Sequence, residues 1–437
     1  MFEGSSLGFS LGLDLKRTGG TLSPDGTTII LLSTGGLSSD VTFTRASTAT
    51  YFDSAGNIQS AATNIPRFDY DPATLAYLGL RIEGGRTNSI RNSTMVGASA
   101  SPSTLPTNWV SINSSAGTIV PTIMATGTIN GMEYVDVKVA GTSSGSGSYT
   151  LAFESSTQIT AATADTWSTN VRCALIAGTL TNITSINTRT AERTLAGSLV
   201  LDNLGTDFKN SLTSALARFT TTVTLSGGAT VERVQSGLNI RYTGAVAIDV
   251  TLRLTNVQLE LGASSSSFIP TTTAAATRAS DVATVVAVNA KPWFNALEGT
   301  LLVNYQRDST VTLATTALRI DSGADAANIR VFQESSGSSL TFAARVDAAS
   351  VNQVAASISS GNANIRGNSA FGYKVDDYAF SVNGSAVATD TLGTIPTGLV
   401  TLRIGSGIGS GHLFGWILGV TYYPTRLLNA RLEVLSV

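Results

Sequence analysis

The stretch Ile248–Gly262, IDVTLRLTNVQLELG, alternates apolar and polar side chains with a period of two. Successive side chains of a strand point to opposite faces, so this alternation specifies a strand with one face in a core. Ile248, Val250, Leu252 and Leu254 occupy one parity, and Val257, Leu259 and Leu261 occupy the other. The slip at Thr255-Asn256 predicts a β-bulge or sharp bend in a curved sheet. The same period recurs at Tyr378, Phe380 and Val382, followed by Asn383-Gly384, the strongest short hairpin signal. GWILGVTYYP (Gly415–Pro424) is apolar on both faces and reads as a central strand. Helix-period segments are scarce. GTDFKNSLTSALARF (Gly205–Phe219) and LLNARLEVLSV (Leu427–Val437) have room for a turn or two each. Many short strands between Gly, Ser, Asn and Thr turns predict an all-β chain of tandem antiparallel sandwiches rather than βαβ units.

A chain of 437 residues is too long for one ordinary core. Two shifts in composition mark joints. The first is the Pro-punctuated polar stretch Thr87–Trp109, and the second is the low-complexity stretch Ala263–Asp281. They predict an N-terminal region over residues 1–92, a middle sandwich over 93–270 and a last sandwich over 271–437. TRAS occurs twice, at Thr44–Ser47 within the N-terminal region and at Thr277–Ser280 in the second joint, with flanks too different for a duplicated module. Arg45 and Arg278 are expected to anchor these joints by hydrogen bonds to backbone or carboxylate groups.

Charged residues make up 13% of the chain, about half the usual ~25%, and Ser, Thr, Gly and Ala take their place. The net charge is −2 and there is no Lys/Arg-rich run, so nothing here would track a nucleic-acid backbone. The only cysteine, Cys173, allows no intrachain disulfide and reads as a small buried hydrophobe. Glu3, Gly8 and Gly12 do not fit an export signal, and no apolar run reaches the ~18 residues of a membrane span.

No catalytic or metal constellation emerges. His412 is the only histidine and has no Cys/His companion at ligand spacing. The glycine-rich SGSGIGSG lacks the Lys-Ser/Thr ending of a phosphate loop and reads as sheet turns. Glu133 and Asp136 fall on opposite faces of one strand, which does not suit paired acid and base work, and Asp376-Asp377 sits at a turn. No cofactor is implied. Sugar rings stack on exposed aromatics, so Trp109, Tyr134, Tyr149, Trp167 and Trp293 are the candidate glycan-binding residues.

The block Phe43–Asn88 (FTRASTATYFDSAGNIQSAATNIPRFDYDPATLAYLGLRIEGGRTN) resembles one found in structural proteins of tailed bacteriophages and gene transfer agents, notably head-spike, head-fibre and tail-fibre proteins. Asn256–Val282 resembles that family's exit from a carbohydrate-binding-module-like jelly roll, with Phe268 where members usually carry Tyr. DTWSTNVRCALI and ARFTTTVTL are similar to earlier strands of that jelly roll. From Pro292 onward the chain is similar to a laminin-G/concanavalin-like sandwich, in EGTLLVNY, YAFSVNGSAVATD and GWILGVTYYPTRLLNARL.

The resemblance implies a virion protein, a head or tail spike or fibre, in which residues 1–92 attach to capsid, portal or tail proteins. The sandwiches would display a surface for host polysaccharide. It also implies a homotrimer or other symmetric homo-oligomer, assembled in the host cytoplasm and carried on the extracellular particle. Function on such folds is decided by the site, because binders, glycosidases and architectural proteins share them. The glucanase-type signature Glu-x-Asp-x-x-Glu is absent, which favours binding or architecture over cleavage. A polysaccharide depolymerase and a passive decoration or collar protein are the alternatives.

Overall fold

The computed structural model describes residues 28–437 apart from 35, 116, 309–313, 337–338 and 360–365. Nearly all of its regular secondary structure is antiparallel strand, arranged as two sandwiches in tandem. The first packs a six-stranded sheet against a five-stranded one. Its core includes Val135, Val137, Leu151, Val171, Leu238, Leu252 and Leu259. Cys173 lies buried there, and burial pushes its thiol pKa up.

Ala247–Leu261 runs unbroken through the middle of the five-stranded sheet, between Met132–Thr142 and Thr166–Gly178. Its register to Thr166–Gly178 jumps between the pairs Asn170↔Gln258 and Arg172↔Thr255, and Asn256 sits there at φ 51°. The parity slip is therefore a bulge, and it lets both halves of the strand bury their apolar faces against the same core.

The second sandwich packs a nine-stranded sheet against a seven-stranded one. Gly415–Tyr423 is central in the larger sheet, bonded to Glu298–Arg307 on one side and to Ile29–Ser33 and Tyr77–Ile82 on the other. Asn383 and Gly384 both take positive φ, 51° and 71°, as the turn signal requires. The two expected helical pieces are a 3-10 turn at Lys209–Ser211 and a closing helix at Asn429–Leu435.

The N-terminal region does not build a core of its own among the described residues. Ile29–Ser33, Phe68–Tyr70 and Tyr77–Ile82 join the nine-stranded sheet, and Thr42–Thr44 forms an edge of the seven-stranded one. Leu31, Phe43, Leu80 and Ile82 are buried with the C-terminal residues. Short strands with one apolar face cannot stand alone, and these bury that face by completing a distant sandwich. The strand Tyr77–Ile82 comes so close that a side chain at Gly79, at φ 116°, would meet the Ile417 carbonyl.

The two TRAS segments meet in space. Ala279 N–H donates to Ser47 Oγ at 2.9 Å, and Thr44 lies opposite Val282 in the ladder. As expected, both arginines are held by backbone and carboxylate groups. Arg45 reaches Asp281 at 3.1 Å and the carbonyls of Ser47, Ala61 and Ala62, while Arg278 donates to the carbonyls of Gly84 and Ala279. Arg67 bridges Asp281 (2.6 Å) and Glu83 (2.9 Å), and Arg81 pairs Glu83 at 2.6 Å. The low-complexity stretch is packed in as well: Ser264, Ser265 and Ser266 are buried, and Ser267 gives Glu83 both its N–H and its hydroxyl.

This joint generates two predictions. Arg67→Ala leaves Asp281 and Glu83 short of a cation in a dry site and should lower stability by about 3–5 kcal/mol in urea unfolding. Burial alone would raise the Glu83 pKa, but Arg81, Arg278 and Arg67 with the Ser267 hydroxyl outweigh it and hold it well below 4.5. The stabilisation from Glu83 is therefore complete above pH 4.5 and lost as pH falls through its lowered value. Unfolding free energies measured from pH 7 downward should show that loss, and Glu83→Gln should flatten it.

Candidate functional site

Where the two sandwiches and the N-terminal strands meet, a cleft of about 170 Å³ opens beside the buried ionic joint. Its floor is the outer face of the five-stranded sheet. Asn170 and Arg172 are two residues apart on Thr166–Gly178 and so face the same way, and Arg218 lies directly opposite Arg172 on Ala217–Thr224. The hairpin of Ala49–Phe52 with Ile58–Ala61 supplies Tyr51 and Phe52, the stretch between the sandwiches supplies Phe268, and the last sandwich supplies Trp416 and Asp308.

These walls are fixed by shared partners. Asp69 accepts from the Phe52 N–H at 2.7 Å and from Trp416 Nε1 at 2.9 Å, tying the hairpin to the last sandwich. The Arg81 guanidinium lies over the Trp416 ring at 4.2 Å, a cation–π contact, while also pairing Glu83 and Asp308. Arg218 reaches Asp308 at 3.4 Å and the Ser266 carbonyl at 3.1 Å. Arg172 faces the Phe52 ring at 4.9 Å, and burial, with Arg218 alongside, lowers its pKa to about 10. The carboxylates of the cleft are engaged elsewhere. Asp71 caps its own turn, accepting from the N–H groups of Ala73 and Thr74 at 2.8 Å each; burial would raise its pKa, but these bonds hold it below the usual range. The cleft offers aromatic faces, a tyrosine hydroxyl, an amide and guanidinium groups. Such a set can stack on a sugar ring and hydrogen-bond its hydroxyls.

The aromatics singled out from the sequence are not brought together, and none lines this cleft. Trp109, Tyr149 and Trp167 lie in the core of the first sandwich, so they have no free face for a sugar. Trp109 is 6% exposed, packs against Phe153 at 4.8 Å and donates Nε1–H to the Asn92 carbonyl. A large ring on a strand of a small-residue chain is what fills the space between sheets. Tyr134 is half-buried under Arg253 at 3.8 Å, and Trp293 is half-buried against Tyr422, with its Nε1–H on Asp40. The cleft's own residues lie in segments quoted for the family resemblance, TYFDSAGN, NVRCALI and SSFIPT. No spacing rule joins them, because they converge only through the fold.

A second charged row crosses the seven-stranded sheet, where Arg403, Arg319, Arg330 and Arg345 stand side by side on neighbouring strands. It is compensated: Asp321 pairs Arg319 and Arg403, Asp325 pairs Arg319, and Asp347 pairs Arg345 with Arg330 at 3.9 Å.

No protein-family model matches the chain, and no curated protein matches it. Among solved structures, the CBM40 module of a Ruminococcus gnavus IT-sialidase bound to α2,6-sialyllactose is similar at 13% identity over 33% of this chain and 85% of that one, with a TM-score of 0.28. The Streptococcus pneumoniae NanB sialidase is similar at 14% identity over 35% of this chain and 26% of that one, also at 0.28. The CBM22 tandem of Paenibacillus barcinonensis Xyn10C is similar at 9% identity over 80% of this chain and 98% of that one, at 0.22. Likenesses this slight assign neither fold nor ligand.

The placement of Trp109 carries a prediction. Trp109→Ala should cost about 3–5 kcal/mol in chemical unfolding, through lost burial and the cavity it leaves.

Proposed function

We propose that this chain is a spike or fibre protein on the head or tail of a tailed phage-like particle, and that it binds host surface glycan through the cleft between its sandwiches. The observation that carries the glycan reading is the cleft itself: Tyr51, Phe52 and Phe268 beside Arg172 and Asn170, in a space of about 170 Å³, comparable to one sugar ring. The particle reading rests on the resemblance of Phe43–Asn88 to phage structural proteins.

One shallow site of this size binds weakly, since few atoms are in contact. A symmetric oligomer on a particle would present many copies and raise the avidity. The joint suits such a role mechanically, because it fixes the cleft walls without requiring a ligand to order them. Cleavage is disfavoured by the commitment of Asp69, Asp71 and Asp308 to structural partners.

Titration calorimetry with oligosaccharides from the host capsule tests the binding reading. Binding should be weak per site, and Tyr51→Ala should reduce it about 3–10-fold with little change in melting temperature, in line with the loss of one aromatic contact. Reproducible release of reducing ends would replace the binder by a depolymerase. Absence of the chain from purified particles would remove the virion role.

A further inference from the structure

We propose that the cleft is a site for an acidic saccharide, whose carboxylate is held by Arg172 with Arg218 beside it and whose ring lies against Phe52 and Tyr51. This deepens the glycan-binding reading and rests on it.

Arg172 and Arg218 are a directly opposed cross-strand pair of like charge, an arrangement that is destabilising by itself. Arg218 is relieved by Asp308 and the Ser266 carbonyl. Arg172 is relieved only at a distance, by Asp71 and Asp69: among the described residues it makes no hydrogen bond and no ion pair, and its one close partner is the Phe52 ring. The nearby carboxylates are turned away from it, Asp69 towards Phe52 N–H and Trp416, and Asp71 into its own turn. Two residues along the same strand, Asn170 is only 4% exposed, lines the same cleft, and its amide makes no hydrogen bond among the described residues. A buried amide and a half-buried guanidinium without partners, side by side and facing a cavity, lack a hydrogen-bonding group that the protein does not provide.

The missing group is anionic and accepts hydrogen bonds, since a guanidinium only donates. Its planar fork matches a carboxylate in a bidentate pair. Only one guanidinium of the cleft is left without a direct partner, so a singly charged group suffices. The aromatic wall and the size of the cavity add a ring to that anion. The shared chemistry is an oxyanion on a hydroxylated ring, and inorganic sulfate in the test supplies the oxyanion without the ring.

Three probes are titrated into the full chain by calorimetry at low salt: a hexuronic-acid disaccharide, its neutral hexose counterpart and inorganic sulfate. The acidic disaccharide should bind at least tenfold tighter than the neutral one, and sulfate should bind more weakly than either. Arg172→Gln should bring the acidic probe down to the affinity of the neutral one while raising the melting temperature, because an unpaired buried cation is removed. Arg172→Lys should retain part of the preference. Equal binding of acidic and neutral probes overturns the inference and leaves the glycan reading standing, whereas no binding of either overturns both. Sulfate binding as tightly as the uronic acid shows an anion site without a sugar and also overturns the inference. A lowered melting temperature in Arg172→Gln reveals a structural partner for Arg172 and does the same.

Discussion

Two buried carboxylates, Glu83 and Asp281, hold the chain together at the point where all of its parts meet. Arg45, Arg67 and Arg81 reach them from the N-terminal strands and Arg278 from the start of the last sandwich, while Ser267 closes the cluster from the stretch between the sandwiches. Charges in such a dry site are costly one at a time and tolerable only as a set with its hydrogen bonds satisfied. The set therefore has one workable arrangement, which fixes the register of Thr42–Thr44 and Tyr77–Ile82 in their sheets and the course of the serine-rich stretch between them.

The cleft depends on that arrangement. Arg81 belongs to the ionic cluster and also covers Trp416, and Asp69 joins the hairpin carrying Phe52 to the same tryptophan. The walls are thus extensions of the joint, while the floor belongs to the sheet of the first sandwich. A binding surface made this way is pre-organised, so a ligand spends little of its contact energy on ordering the protein.

Much of the architecture was legible from side-chain period. The bulge at Asn256, the turn at Asn383-Gly384, the central position of Gly415–Tyr423 and the short final helix all follow from local rules. The anchoring of Arg45 and Arg278 was legible too, since an arginine in a nearly uncharged polar stretch must find an acceptor. Trp109, Tyr149 and Trp167 were misread because the sequence cannot say which face of a strand is outward when both neighbouring sheets need large rings. Trp109 and Trp167 fill a core for that reason. That the N-terminal strands complete sheets whose other members lie more than two hundred residues away was not legible, because no local pattern pairs residues at that distance.

By itself the sequence determined that the chain is all-β, where several strands bend or turn, and that its few charges must be used as structure. Tertiary structure alone decided which charges those are. Period and turn chemistry act within a few residues, whereas ion pairing acts across space without regard to sequence distance. Arg45 and Asp281 become partners, and Arg172 comes to line the cleft without a direct ion pair, only once the two sandwiches are docked.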